Sequence, residues 1–221
     1  MLKAVLFDLD GTLLNRDASL SKFIASHFNS LRSVLTDVDE QQFCSRFIEL
    51  DNRGYVWKDQ VYQQLIKEYN IEGLTVEDLL LYYVHHFKQH CVAFPSLHSM
   101  LKELKQMSLT LGIITNGKGQ FQLDNIHALG IASYFDVILI SEIEGIKKPN
   151  PQIFHRALSR LGVSPNECVY VGDHPINDIQ AANAVGIHSI WKKDPGYHCL
   201  EANHVIDDLS EIPSVIKSII K

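Results

Sequence analysis

Four short segments carry residues that could act together on an anion. The first is Phe7-Asp8-Leu9-Asp10-Gly11-Thr12-Leu13, which follows an apolar run. Residues two apart in extended chain point to the same side, so Asp8 and Asp10 come near each other at a strand end. Two like charges so placed are costly unless a cation lies between them or one is protonated. Gly11 permits a tight turn there, and Thr12 can hydrogen-bond to hold it. The second is Ile113-Ile114-Thr115-Asn116-Gly117. Its hydroxyl, amide and following backbone N–H groups could donate to an anion, or could merely cap a strand. The third is Gly145-Ile146-Lys147-Lys148-Pro149-Asn150-Pro151. Two prolines stiffen the backbone and aim a side chain, and the lysine directly before Pro149 is the better candidate. The fourth is Val171-Gly172-Asp173-His174-Pro175-Ile176-Asn177-Asp178. Asp173 ends another apolar run; Asp178 falls at a helix start, where it could simply complement the helix dipole.

Asp8, Thr115 and Asp173 all occupy strand-end positions, and Lys148 lies in a loop after a fourth strand. An oxygen-rich site with carboxylates and room for water and a phosphate is what Mg²⁺ takes. One competing motif fails. Gly112-x-x-x-x-Gly117-Lys118 imitates a nucleotide-binding loop, but Gly119 stands where that loop needs Ser or Thr.

These residues must be positioned by a sheet, and the chain has the rhythm of one. Strands are expected at 3–9, 109–115, 136–141, 168–172, 188–191 and 204–206. Helices are expected at 97–107, 121–129, 151–161, 178–185 and 212–220. That alternation predicts right-handed crossovers and a parallel α/β sheet. Residues 15–94 differ: they have helical spacing and only two glycines, Gly54 and Gly73. Leu20, Phe23, Ile24, His27, Phe28 and Leu31 fit one helical face, and Thr75 with Asp78 reads as a helix cap. The expectation is a core of 1–14 plus 95–221, interrupted by an all-helical insert of about four helices at 15–94. Set after the first strand, the insert would lie over the ligand-binding edge of the sheet and act as a lid.

The 221 residues are 46% apolar and carry a formal net charge of −6, which argues against disorder and against general nucleic-acid binding. Apolar runs such as 137–140 are far too short to cross a bilayer. The early carboxylates leave no room for an export signal, so a cytoplasmic location is expected. Cys44, Cys91, Cys168 and Cys199 lack metal or redox spacing and read as free thiols. His86 and His90 could share a metal at i and i+4, but without a further ligand the cluster with His85 reads as a solvated helix face.

Taken in order, Asp8-Leu9-Asp10-Gly11-Thr12, Thr115-Asn116, Lys148-Pro149 and Gly172-Asp173 with Asp178 resemble the four signature motifs of the haloacid dehalogenase-like superfamily, and the insert resembles its helical cap. The resemblance implies a Rossmann-like parallel sheet core and a Mg²⁺-dependent phosphohydrolase acting on a small phosphate monoester, as a monomer or weak homodimer. It implies Asp8 as nucleophile and Asp10 as general acid and base. It implies Mg²⁺ on the Asp8 carboxylate, the Asp10 carbonyl and Asp173. Phosphoryl oxygens would be held by Thr115, the Asn116 backbone and Lys148. Asp178 and Thr12 would support from behind. A sugar-phosphate mutase keeps the same motifs. Phosphonatases add a cap lysine, for which Lys22, Lys58 and Lys67 are available. The halide-releasing branch lacks the second carboxylate, so Asp10 argues against it. A non-catalytic binding module would be expected to have lost a motif residue, and none is lost. Arg46, Arg53, Tyr55, Trp57 and Lys58 are insert residues that could set specificity, though each also reads as insert surface or insert core.

Overall fold

The computed structural model describes residues 1–199 and 201–220. Its six strands are β1 (Ala4–Phe7), β2 (Thr110–Thr115), β3 (Val137–Ile140), β4 (Cys168–Gly172), β5 (His188–Lys192) and β6 (His204–Ile206). They form one sheet in the order β3-β2-β1-β4-β5-β6, and every neighbouring pair is parallel. This is a Rossmann-like α/β architecture. Every residue of β1 and β4 is buried, which is why these strands read as unbroken apolar runs rather than alternating ones.

The helix Pro151–Leu161 illustrates how the crossovers are specified. Asn150 caps it by accepting from Gln152 N, Pro151 takes a first-turn position, and Gly162 closes it at φ 67°. Ile153, Phe154, Ala157 and Leu158 repeat at helical spacing and bury against Leu6, Ile114, Leu139 and Tyr170. Each large apolar side chain so buried is worth roughly 1.5–3 kcal/mol. The loop bearing Lys148 is therefore anchored at the start of a firmly packed helix.

Two expected elements are reshaped near the strand ends. β1 stops at Phe7 because residues 9–14 close a turn, with Leu13 N and Leu14 N both donating to Leu9 O at 2.9 Å. The helix expected at 178–185 instead opens as a wide π-type turn, Pro175–Gln180, before Ala181–Ala184. His174 starts it early: its Nδ1 accepts from Ile176 N and Asn177 N, both at 3.1 Å.

The chain divides into two units, Met1–Asn15 with Ala93–Lys221, and Arg16–Val92. The second holds the α-helices Arg16–Ser30, Glu40–Asp51, Lys58–Tyr69 and Val76–His86. Leu20, Phe23, Ile24, His27, Phe28 and Leu31 are all buried, and Thr75 and Asp78 cap each other reciprocally. Asp51 is buried, accepts from Arg16 Nη2 at 2.8 Å, and pairs with buried Lys58. Two of the three clustered histidines, His86 and His90, are half-buried rather than on the expected solvated face. His86 stacks on Tyr82 at 4.0 Å and His90 stands edge-on to Phe23 at 5.8 Å; His85 is exposed. Imidazole rings partner aromatic rings readily, and the helix end is rich in Tyr and Phe. All four cysteines are free thiols. Among the described residues, no helix is long and apolar enough to cross a membrane.

Candidate active site

Because β2, β1 and β4 are adjacent, Thr115, Asp8 and Asp173 leave the sheet side by side at its C-terminal edge, where open α/β sheets bind ligands. Asp8 N still donates to Val171 O at 2.9 Å, so its backbone keeps the register of the sheet.

Lys148 is 3% exposed and its ammonium is fully engaged, whereas Lys147 is on the surface. Lys148 Nζ donates to Asp8 Oδ1 at 2.6 Å, to Asp178 Oδ1 at 2.6 Å and to the Tyr170 hydroxyl at 2.9 Å. Its main chain is clasped by Asn116: Lys148 N donates to Asn116 Oδ1 at 2.9 Å, and Asn116 Nδ2 donates to Lys148 O at 3.0 Å. The side-chain amide read from the sequence as an anion donor is thus committed elsewhere. It positions the lysine.

Burial works against the Lys148 charge, but Asp178 and Asp8 outweigh it and hold the ammonium above the ordinary lysine range. Burial pushes the Asp8 carboxyl up to about 7, against the pull of Lys148, with Asp178 and Asp10 adding to the rise. Asp173 is pushed well above the carboxylate range by burial and then by Asp8 and Asp178.

One oxygen each from Asp8, Asp173 and Asp178 lie within 4.8 Å of one another, all three residues buried. Lys148 offsets part of this charge, and a divalent cation would offset the rest. A donor set made only of carboxylate oxygens fits a hard cation such as Mg²⁺. Both Asp178 oxygens already have partners. Oδ1 takes Lys148 and the Tyr170 hydroxyl (3.1 Å), and Oδ2 takes His174 N at 3.0 Å. Thr12 Oγ1 donates to Asp173 Oδ1 at 3.4 Å. Two glycines let these carboxylates approach. At Gly11 (φ 84°) a Cβ would lie 2.7 Å from Asp173 Cγ, and at Gly172 it would lie 2.5 Å from Asp178 Cγ.

Four further residues join the site without an obvious mark in the sequence. Tyr170 holds Lys148 from within β4. Gln122 Nε2 contacts Asp10 Oδ2 at 2.6 Å and Thr115 Oγ1 at 2.8 Å. Trp191 Nε1 donates to Asp173 O at 2.7 Å, and Lys192 Nζ donates to Gly11 O at 3.1 Å while lying over the Phe94 ring. The one signal available was polar chemistry inside otherwise apolar strands, at Tyr170 and Lys192.

The arrangement of carboxylates, lysine and strand-end donors defines a class of enzyme, and comparison with known proteins identifies it. Residues 5–192 match the family of haloacid dehalogenase-like hydrolases, and the chain belongs to that family. A glyceraldehyde 3-phosphate phosphatase of Methanopyrus kandleri is 30% identical to it, with all of both chains covered. Among solved structures, a phosphatase of the family from Thermococcus onnurineus is similar at TM-score 0.69 and 28% identity, covering 97% of this chain and 98% of its own. A 2-haloacid dehalogenase from Pseudomonas syringae is similar at TM-score 0.66 and 26% identity, with 99% of each chain covered.

Proposed function

We propose that this chain hydrolyses a small phosphate monoester through a phosphorylated Asp8, with Mg²⁺ as cofactor. The chain is a phosphoric monoester hydrolase of its family. The observation that carries the finer reading is the convergence of Asp8, Asp173, Asp178 and Lys148 at the edge of three adjacent strands.

The Asp8 carboxylate attacks phosphorus, forming a bond to it as the ester P–O bond breaks. Asp10 gives its proton to the departing alkoxide, so an alcohol leaves. Water then attacks the aspartyl-phosphate, Asp10 takes back a proton, and inorganic phosphate and free Asp8 are released. Lys148 keeps Asp8 in place and answers the charge of the phosphoryl oxygens, which Thr115 and the Asn116 backbone also bind. Mg²⁺, held by Asp8, Asp173 and the Asp10 carbonyl with Asp178 behind them, would supply the remaining positive charge needed to bring a phosphate dianion to a carboxylate. Asp10 is the second carboxylate that halide-releasing relatives lack, and it favours phosphate chemistry. The glyceraldehyde 3-phosphate phosphatase relative supports a small, polar phosphate ester as substrate.

A panel of phosphorylated metabolites assayed for phosphate release, with p-nitrophenyl phosphate as reference, tests the reading. Release is expected with Mg²⁺ and is expected to vanish in Asp8→Asn. Undiminished turnover in that variant removes the nucleophile assignment. Halide release from haloacids without phosphate release overturns the reading altogether.

A further inference from the structure

Gln122 sits in the helix Gly119–Ala128, seven residues beyond Thr115, and is 2% exposed. Three acceptors converge on its Nε2: Asp10 Oδ2 at 2.6 Å, Thr115 Oγ1 at 2.8 Å and Asn116 O at 3.4 Å. Its other polar atom, Oε1, accepts from buried Asn125 Nδ2 at 3.1 Å. Asn116 O, which can only accept, and Asn125 Nδ2 set the orientation of the amide: turned over, it would place an oxygen against a carbonyl and an NH₂ against an NH₂.

We infer that Gln122 is the positioning residue that orients both the acid–base group and the hydroxyl of the phosphate clamp, an inference that rests on the reading above. An amide N–H can only donate. Asp10 Oδ2 is therefore kept as an acceptor, and the transferable proton of Asp10 is confined to Oδ1. Thr115 Oγ1 likewise accepts from Gln122, so its own O–H hydrogen is turned away, free to meet a phosphoryl oxygen. One side chain thereby sets the direction of two protons that the reaction uses, and Asn125 locks that side chain from behind. Neither Asn125 nor Gln122 supplies a reacting atom.

The test compares two esters that differ in their need for an acid. Phenyl phosphate has a poor leaving group, whereas p-nitrophenyl phosphate leaves with little help. Gln122→Met keeps the volume and loses the donor. Its kcat/KM is expected to fall at least ~10-fold more on phenyl phosphate than on p-nitrophenyl phosphate, a part of the ~10²–10⁴-fold that a positioned acid contributes. Asn125→Ala leaves Gln122 in place but releases its amide, and should show the same selectivity to a smaller degree. It also carries the test if Gln122→Met does not fold. Equal losses on both esters, or none, overturn the inference, because a purely structural role does not distinguish leaving groups. Asp10→Asn run in parallel separates the two levels of the argument. A leaving-group-selective loss in Asp10→Asn without one in the Gln122 and Asn125 variants removes Gln122 alone. Absence of that loss in Asp10→Asn, or a wild-type protein inactive on every phosphate ester, removes the reading and the inference together.

Discussion

Lys148 Nζ lies 2.6 Å from Asp8 Oδ1, although 140 residues separate the two in sequence. The lysine reaches this place already immobilised: Asn116 grips its backbone while Tyr170 and Asp178 grip its ammonium. A charge fixed before a ligand arrives needs no reorganisation when the reaction calls on it. Lys148→Met removes it and leaves Asp8 and Asp178 buried against each other. The kcat/KM for p-nitrophenyl phosphate is expected to fall ~100-fold or more. Stability is expected to fall by roughly 3–5 kcal/mol, the usual result of orphaning a buried charge. Lys148→Arg should not restore activity, since a planar guanidinium cannot reproduce three bonds made from one point. Steady-state kinetics and denaturant unfolding check both effects.

Gly172 offers a second, purely steric test. It ends β4 directly before Asp173, and an added Cβ would lie 2.5 Å from both Cβ and Cγ of Asp178. Gly172→Ala must push Asp178 aside, and Asp178 is one of the groups holding Lys148. Activity is expected to drop at least ~10-fold with a stability loss of about 1–3 kcal/mol, the ordinary cost of overpacking. Kinetics beside thermal denaturation would reveal it, and a variant with wild-type turnover would show that Asp178 can yield without consequence.

The strand ends were legible because parallel strands buried on both faces produce unbroken apolar runs, and a carboxylate or hydroxyl at the end of such a run stands out. Asp8, Thr115 and Asp173 could be read in that way, and Lys148 through the proline that follows it. Gln122 could not be read. It is one polar residue on a helix of mixed character, and only the packing of that helix turns it toward Asp10. The Asn116 side chain misled for the same reason: an amide at a strand end is equally suited to an anion or to a backbone, and only the path of the loop at 145–150 decides. The wide turn at 175–180 was hidden because His174 caps it through a ring nitrogen, which carries no sequence pattern.

His27 gives a pH dependence away from the reaction. It is buried beside Tyr82 (4.5 Å), Phe23 and Tyr62, and its Nε2 has no hydrogen-bond partner among the described residues. Burial, reinforced by His86, lowers its pKa to about 4. The folded protein holds it neutral, while the unfolded chain takes up a proton near 6.5. Its contribution to stability is therefore complete above about pH 6.5 and is lost as pH falls toward 4, by as much as roughly 3 kcal/mol. His27→Phe keeps the ring and removes the titration. Unfolding free energies measured from pH 7 to 4 should fall less steeply in that variant, and parallel slopes would contradict the assignment.

Asp173 separates binding of a cation from stability of the bare fold. Its carboxylate shares one small region with those of Asp8 and Asp178, all of them buried. With no cation present, that crowding opposes folding, so Asp173→Asn should melt at or above the wild type in EDTA. With Mg²⁺ the order should reverse. A ligand at about 100 times its Kd stabilises the folded state by about 2.7 kcal/mol, and the wild type gains this while the variant does not. Thermal unfolding in EDTA and in millimolar Mg²⁺ gives all four values. A Mg²⁺-induced shift equal in the two proteins would mean that Asp173 is not a ligand. A variant that melts below the wild type in EDTA would mean that the Thr12 hydrogen bond to the carboxylate, rather than charge crowding, governs this loop.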